Sequence, residues 1–267
     1  MTGRSALLVV EHERDCPPGR LADAAGTAGV DLEVLRPWAG EPLPANLDGA
    51  AGLVVLGGSM GVGDAATWPH LYDTMALIRH AAARAAPVLG ICLGAQLAAQ
   101  ALGGRAFPAP AGVEVGWAGV GLTPAGRDDP VLGAVDQTAE LFHWHQDTFD
   151  PPRDAAVLAF GRRYHQAFRL GSVLAVQFHP EVDEAIVERW YATVDPPPPY
   201  PIADALAGVA RSAPKPLQLL ETFCHLVAAG ATPTEARSDP RSQRLLFLGA
   251  KSEGPTGPPR QPQGPTT

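Results

Sequence analysis

The stretch Pro87-Val-Leu-Gly-Ile-Cys-Leu-Gly-Ala-Gln-Leu-Ala-Ala-Gln-Ala-Leu-Gly-Gly104 decides the fold. Val88, Leu89 and Ile91 form a short apolar run of the kind a central parallel strand shows. Beyond Cys92 the spacing turns helical: Leu93, Leu97, Ala98, Ala101 and Leu102 fall on one face, and Gly103-Gly104 stops the helix. Gly90 and Gly94 lie two residues either side of Cys92. A strand turning sharply into a helix needs residues without Cβ there, so that the two elements can approach. The pattern is a nucleophile elbow carrying sulfur. A thiol at a helix N-terminus sits at the positive end of the dipole beside free backbone N–H groups, which favours its thiolate and can hold an oxyanion. An isolated cysteine at a strand end is more often buried and inert, but the flanking glycines reverse that preference.

Upstream, residues 6–10, 32–35 and 53–56 read as strands and 21–28 as a helix, with Pro17-Pro18-Gly19 and Pro37 as breaks. Strand and helix alternate, so the expected class is α/β, a central and mostly parallel sheet flanked by helices. The fully apolar strand 53–56 ends in Gly57-Gly58-Ser59-Met60-Gly61-Val62-Gly63. A glycine cluster at the carboxyl end of a parallel strand is where α/β sheets meet ligands. Its spacing fits a dinucleotide fingerprint poorly, and the strand is not the first. A loop that holds an oxyanion or substrate beside the elbow fits better. Trp68-Pro69 opens a further helix with Leu71, Met75, Ile78 and Ala82 on one face. From Arg105 onward the pattern shortens to β segments at 113–120, 139–144, 156–160, 164–169 and 173–178, an antiparallel extension beside the parallel core.

Composition sets the bounds. A chain of 267 residues with 46% hydrophobic content can bury a full core. The net charge of -8 argues against a nucleic-acid surface, which needs clustered Lys and Arg, and favours a small-molecule substrate. Cys16, Cys92 and Cys224 are widely spaced and form no CxxC pair, so neither a disulfide framework nor a zinc site is indicated. The apolar run at 6–10 is too short for a signal peptide or a membrane span, so a cytoplasmic protein with no membrane partner is expected. No cofactor motif is present.

The last β segment ends in Gln177-Phe178-His179-Pro180-Glu181-Val182. Residues two apart in extended chain point the same way, so His179 and Glu181 share a face while Pro180 stiffens the backbone between them. A carboxylate so placed fixes the tautomer of the imidazole and leaves its other nitrogen free to take a proton from a thiol. Cys92, His179 and Glu181 would then serve as nucleophile, base and orienter, the arrangement acyl transfer requires. His143 and His145 also share a strand face, as metal ligands can, but no Cys or carboxylate pair stands nearby at ligand spacing. Substrate-pocket and structural roles are expected for them instead.

Gly90-Ile-Cys92-Leu-Gly94-Ala-Gln96 together with Gln177-Phe-His179-Pro-Glu181 resembles the class I, triad-type glutamine amidotransferase family, and within it stand-alone relatives of the GMP synthase glutaminase domain. The resemblance spans roughly residues 5–195. It implies a flavodoxin-like α/β fold and a γ-glutamyl thioester at Cys92 that is hydrolysed to glutamate, with ammonia released where the substrate is glutamine. It further implies that the Gly58 and Leu93 N–H groups form the oxyanion hole and that Gln96 contacts the glutamyl moiety. Trp144-His145-Gln146-Asp147 resembles the family's loop for the α-amino and α-carboxylate groups. Two departures stand out: no Ser-Gly-Gly phosphate loop of an ATP pyrophosphatase follows, so a complete GMP synthase is not expected, and Gly58 is followed by Ser59-Met60 where the family commonly has proline.

The motifs fit a glutaminase whose ammonia serves a separate synthetase partner, and equally a free-standing γ-glutamyl hydrolase or peptidase. A non-catalytic binding protein on the same fold would be expected to have lost part of the triad, and an α/β-hydrolase would place the acid before the histidine. The expected organisation is a catalytic domain over 1–195, a proline-rich linker and C-terminal amphipathic helix over 196–251, and a disordered tail over 252–267. Residues 184–193 and 217–229 read as helices, with Cys224 as a packing residue in the second.

Overall fold

The structure is a computed structural model and describes residues 6–135, 139–212 and 214–230. The tail expected at 252–267 lies outside the described residues. The chain begins β1 (Ala6–Val10), α1 (Arg20–Ala28), β2 (Asp31–Leu35), β3 (Gly52–Val55), α2 (His70–Ala83), β4 (Val88–Ile91) and α3 (Leu93–Ala101). It continues through β5 (Arg105–Pro108), β6 (Glu114–Gly119), β7 (Gly121–Leu122), α4 (Pro124–Arg127), β8 (Glu140–His145), β9 (Asp147–Asp150), β10 (Ala156–Phe160), β11 (His165–Leu170) and β12 (Val173–Val176). It then forms α5 (Glu184–Thr193), α6 (Ile202–Ser212) and α7 (Pro214–Ala228).

Eight strands make the main sheet in the order β2-β1-β3-β4-β12-β11-β10-β7. The pairs from β2 to β12 are parallel, and those from β12 to β7 antiparallel. The strand period of two sorts the side chains between two cores. Leu7, Val9, Val54, Leu89, Ile91, Leu174 and Val176 face α1 and α7, whereas Leu8, Val10, Leu53, Val55, Val88, Val173 and Ala175 face α2 and α3. Two small antiparallel sheets, β5 with β9 and β6 with β8, stand beside the main one. The class read from the sequence, a mostly parallel α/β sheet with an antiparallel addition, is the one observed.

Three details depart from the sequence reading for physical reasons. The strand expected through 178 ends at Val176, because the chain then crosses to β8, where the His179 N–H donates to the Phe142 carbonyl at 2.8 Å. The short strands β5 and β9 have burial patterns without clean alternation, and no strand is read there. Helix α6 follows the proline run, and its inward face is made of small residues, Ala205, Gly208 and Ser212 with Val209. These pack on Trp117, whose Nε1 donates to the Ala205 carbonyl at 2.8 Å, and a Cβ on Gly208 would overlap the indole. No helix is read there because the prolines just before it read as a linker, although its inward residues recur at helical spacing.

Helix α7 docks on α1 and places Leu219, Leu220, Phe223, Cys224 and Val227 in the same core as Leu21, Ala24 and Ala25. Phe223 is buried there. Its truncation to Ala should therefore destabilise the whole fold by about 3–5 kcal/mol, read as a shift of the urea midpoint with unchanged slope.

Candidate active site

Cys92 caps the N-terminus of α3 with φ 52° and ψ -106°, a left-handed conformation that residues with a Cβ rarely adopt. The strain is held from both sides. The Cys92 N–H donates to Val176 O at 2.9 Å, and its carbonyl accepts from Ala95 and Gln96 at 3.0 Å each. A Cβ on Gly94 would overlap the Val55 carbonyl, and one on Gly90 would lie 2.6 Å from Gly94 O. Both flanking glycines are thus required by the close approach of β3, β4 and α3. Leu93 is the first residue of α3, so its N–H has no acceptor within the helix. Gly58, at the end of β3, abuts it: a Cβ there would meet Leu93 Cδ2 at 3.0 Å.

His179 Nδ1 lies 2.7 Å from Glu181 Oε1, and both side chains are 3% exposed. The imidazole packs edge-on against Trp190 at 4.8 Å and against Gly57, where a Cβ would stand 3.1 Å from its Cε1 and 3.6 Å from Cys92 Cβ. Its Nε2 is buried and meets no partner within hydrogen-bond geometry among the described residues, while Cys92 sulfur is near enough to favour a proton on the ring. Burial by itself would lower the His179 pKa. The Glu181 carboxylate and then Cys92 overcome that and raise it to about 10. Helix α1 anchors the Glu181 loop, since Arg20 N donates to Glu181 O at 2.9 Å and a Cβ on Gly19 would overlap that carbonyl.

Cys92, His179, Gly58, Ser59, Trp144 and Trp190 line one cleft, with Glu13, Asp15 and Cys16 at its side. The Glu13 carboxylate accepts from the Ser59 N–H and from its hydroxyl at 3.1 Å, which fixes the glycine loop. Sequence reading missed Glu13, Cys16, Trp144 as a cleft wall, and Trp190. They come from a loop after β1, from β8 and from α5, and no local pattern joins them.

The remaining sequence-predicted residues fall elsewhere. Gln96 is buried behind the thiol: its Nε2 donates to Asp147 O at 3.1 Å and to Gln177 Oε1 at 3.5 Å, and Gln177 Nε2 reaches Cys92 Sγ at 3.7 Å. Gln146 is exposed. Asp147 presses on the glycine loop, where a Cβ on Gly61 would lie 2.7 Å from its Oδ2. Burial and then Asp64 raise its pKa. His145 has both ring nitrogens engaged, Nδ1 with Asp147 O at 2.9 Å and Nε2 with Glu114 Oε2 at 3.0 Å. Glu114, on β6, is the carboxylate that sequence spacing did not reveal, because it meets His145 only through the β6–β8 register.

The structure thus sets a strained cysteine elbow beside a buried His–Glu pair on a mostly parallel sheet. The chain belongs to the class-I glutamine amidotransferase family, whose sequence profile matches residues 19–186. It is 33% identical over 153 residues to the glutamine amidotransferase-like protein YfeJ of Salmonella typhimurium, a match that covers 56% of this chain and 64% of that protein. Against imidazole glycerol phosphate synthase subunit HisH of Symbiobacterium thermophilum it is 34% identical over 154 residues, covering 52% of this chain and 72% of HisH. A glutamine amido transferase of Methylobacillus flagellatus superposes with a TM-score of 0.74 at 27% identity, covering 86% of this chain and 96% of that one. Among the described residues no helix is long and apolar enough to cross a membrane.

The raised His179 pKa has a stability consequence. Relative to an unfolded value of 6.5, the ring proton contributes stability fully below that pH and loses it as pH climbs through about 10. Glu181→Gln removes the largest cause that holds the proton. Its destabilisation should be about 3–5 kcal/mol on the acid side and shrink as pH approaches about 10, read from urea midpoints of both proteins across that range.

Proposed function

We propose that this chain hydrolyses the γ-amide of glutamine through a thioester at Cys92, releasing glutamate and ammonia. The observation that carries this reading is the strained Cys92 thiol beside His179, whose other nitrogen is held by Glu181 at 2.7 Å. In the first step Cys92 sulfur attacks the amide carbonyl carbon, the C–N bond breaks, and His179 delivers the proton taken from the thiol to the departing ammonia. Water then attacks the thioester, gives a proton to His179 and frees glutamate, after which the thiol is reprotonated. The N–H groups of Leu93 and Gly58 are assigned to the oxyanion. Glu181 fixes the imidazole tautomer and does not itself transfer a proton. For the substrate's α-amino group the reading favours Asp147 beside the glycine loop. Gln96 acts from behind, through Gln177.

Two relatives named as parts of synthases, HisH and the glutamine-hydrolysing GMP synthase component of Halobacterium salinarum, support a separate synthetase as the acceptor of ammonia. A second reading, hydrolysis of another γ-glutamyl amide, draws on the Glu13 and Asp15 carboxylates at the cleft, which suit a cationic leaving amine.

Glutamate release by the purified chain, offered glutamine and a γ-glutamyl peptide side by side with Cys92→Ala as blank, separates the two. Thiol-dependent release from glutamine supports the first reading, and release from the peptide alone supports the second. Turnover retained in Cys92→Ala would overturn the mechanism. His179→Ala should slow acylation by about 10²–10⁴-fold, measured by rapid quench of the thioester.

A further inference from the structure

On the face of β8 opposite Trp144, three donor groups converge. His143 and His145 come from β8 and Glu114 from β6, and one ligand atom from each lies within 4.8 Å of the others. Glu114 Oε2 stands 3.0 Å from His145 Nε2 and 4.0 Å from His143 Nδ1.

Three observations bear on what this cluster can hold. His145 Nδ1 lies 2.9 Å from the Asp147 carbonyl, which can only accept, so Nδ1 carries a proton. The neutral ring then turns the Nε2 lone pair toward a carboxylate, and only a cation between the two, a second proton or a metal ion, makes that contact attractive. His143 is 3% exposed, and both its ring nitrogens are buried without a partner in good hydrogen-bond geometry among the described residues, the Ala118 backbone and Glu114 being near enough only to favour a proton on the ring. Orphaned imidazole nitrogens are costly unless something occupies them. Finally, Gln166 on β11 donates Nε2 to Glu114 Oε2 at 2.8 Å while its own Oε1 is buried without a partner.

We propose that Glu114, His143 and His145 bind one divalent first-row transition-metal ion of the Zn2+ type. Two imidazoles and one carboxylate are a donor set such ions take, with a fourth position left for water or for Gln166 Oε1. Tetrahedral zinc needs donor separations on the order of 3.3 Å. Glu114 stands 3.0 and 4.0 Å from the two imidazoles and all three donor atoms lie within 4.8 Å, so side-chain rotation would have to draw the donors together by about 1 Å to close the set. The bond from His145 Nδ1 to a backbone carbonyl is the outer-shell contact that orients a metal-bound histidine. The bound ion would clamp β6 to β8 and, through Gln166, both to the main sheet. It thereby fixes the strand that presents Trp144 to the thiol cleft. The proposal is independent of the chemistry at Cys92.

The test uses the full chain carrying Cys92→Ser, so that the cleft thiol cannot compete for metal. After chelator treatment and desalting, the protein is titrated with Zn2+ by calorimetry and with Co2+ by visible absorption. One ion per chain is expected, with the ligand-field band of a four-coordinate Co2+ complex and a Zn2+-dependent rise in Tm. His143→Gln and Glu114→Gln, each shown folded without metal by circular dichroism, should weaken binding by more than about 100-fold, and Gln166→Ala by about 10-fold to 100-fold. No uptake by the parent chain, or one ion still bound by either folded ligand variant with unchanged affinity, would overturn the proposal.

Discussion

The approach of α3 to the backbone of β3 is the constraint on which the rest of the site depends. No side chain fits at position 94, because the Val55 carbonyl occupies the space a Cβ would take. Only with glycine there can the chain leave β4, turn through the left-handed conformation of Cys92 and start a helix across the sheet. The turn fixes where the sulfur goes: at the helix N-terminus, above the carboxyl ends of two adjacent parallel strands. Gly57 and Gly58, in the loop after β3, extend the same logic. A Cβ at 57 would crowd the His179 ring, and one at 58 would crowd Leu93. The space around the sulfur is outlined by atoms that are missing.

The His179 imidazole reaches the thiol by a different route. His179 has already left β12, and its backbone is carried by Phe142 on β8, while the carbonyl of Glu181 is held by the start of α1. Trp190 on α5 closes the side. Three elements distant in sequence therefore set one imidazole. Because His179 and Glu181 are buried, their mutual attraction is little screened by solvent, and an unpaired member would be left at high cost. The same burial that would strip the ring of its proton makes the carboxylate effective in keeping it.

What was legible in the sequence was what the backbone dictates locally. The elbow could be read because Gly90, Cys92 and Gly94 lie within five residues, and their glycines answer to contacts the strand-to-helix turn must make. His179 and Glu181 were legible for the same reason, two residues apart in extended chain. The parallel order followed from alternation of apolar runs with helical spacing. The cleft walls were not legible: Glu13, Trp144 and Trp190 are joined only by tertiary packing. Glu114 was hidden likewise, since 31 residues separate it from His145 and only strand register makes them neighbours. Helix α6 escaped because it follows directly on the prolines at 196–199, which read as a stiff linker, although its buried residues do recur at helical spacing.

Strand β8 is where these two kinds of information meet. Alternation sends Phe142 and Trp144 to one face, against Trp190 and the cleft, and His143 and His145 to the other, against Glu114. A slip of one residue would exchange the faces, putting imidazoles into the aromatic cluster and indole into the polar one. Two contacts pin the register from opposite sides: the Phe142–His179 bridge on one edge and the pairing of Glu114 with His145 on the other. The first of these is also the backbone contact that carries His179. Whatever holds His143, His145 and Glu114 together therefore acts on the same strand that sets His179 and presents Trp144 to the thiol, so the polar cluster and the cleft are coupled through one short element. They are also coupled through the Asp147 carbonyl, which His145 and Gln96 both contact while Gln177 joins Gln96 to the Cys92 sulfur.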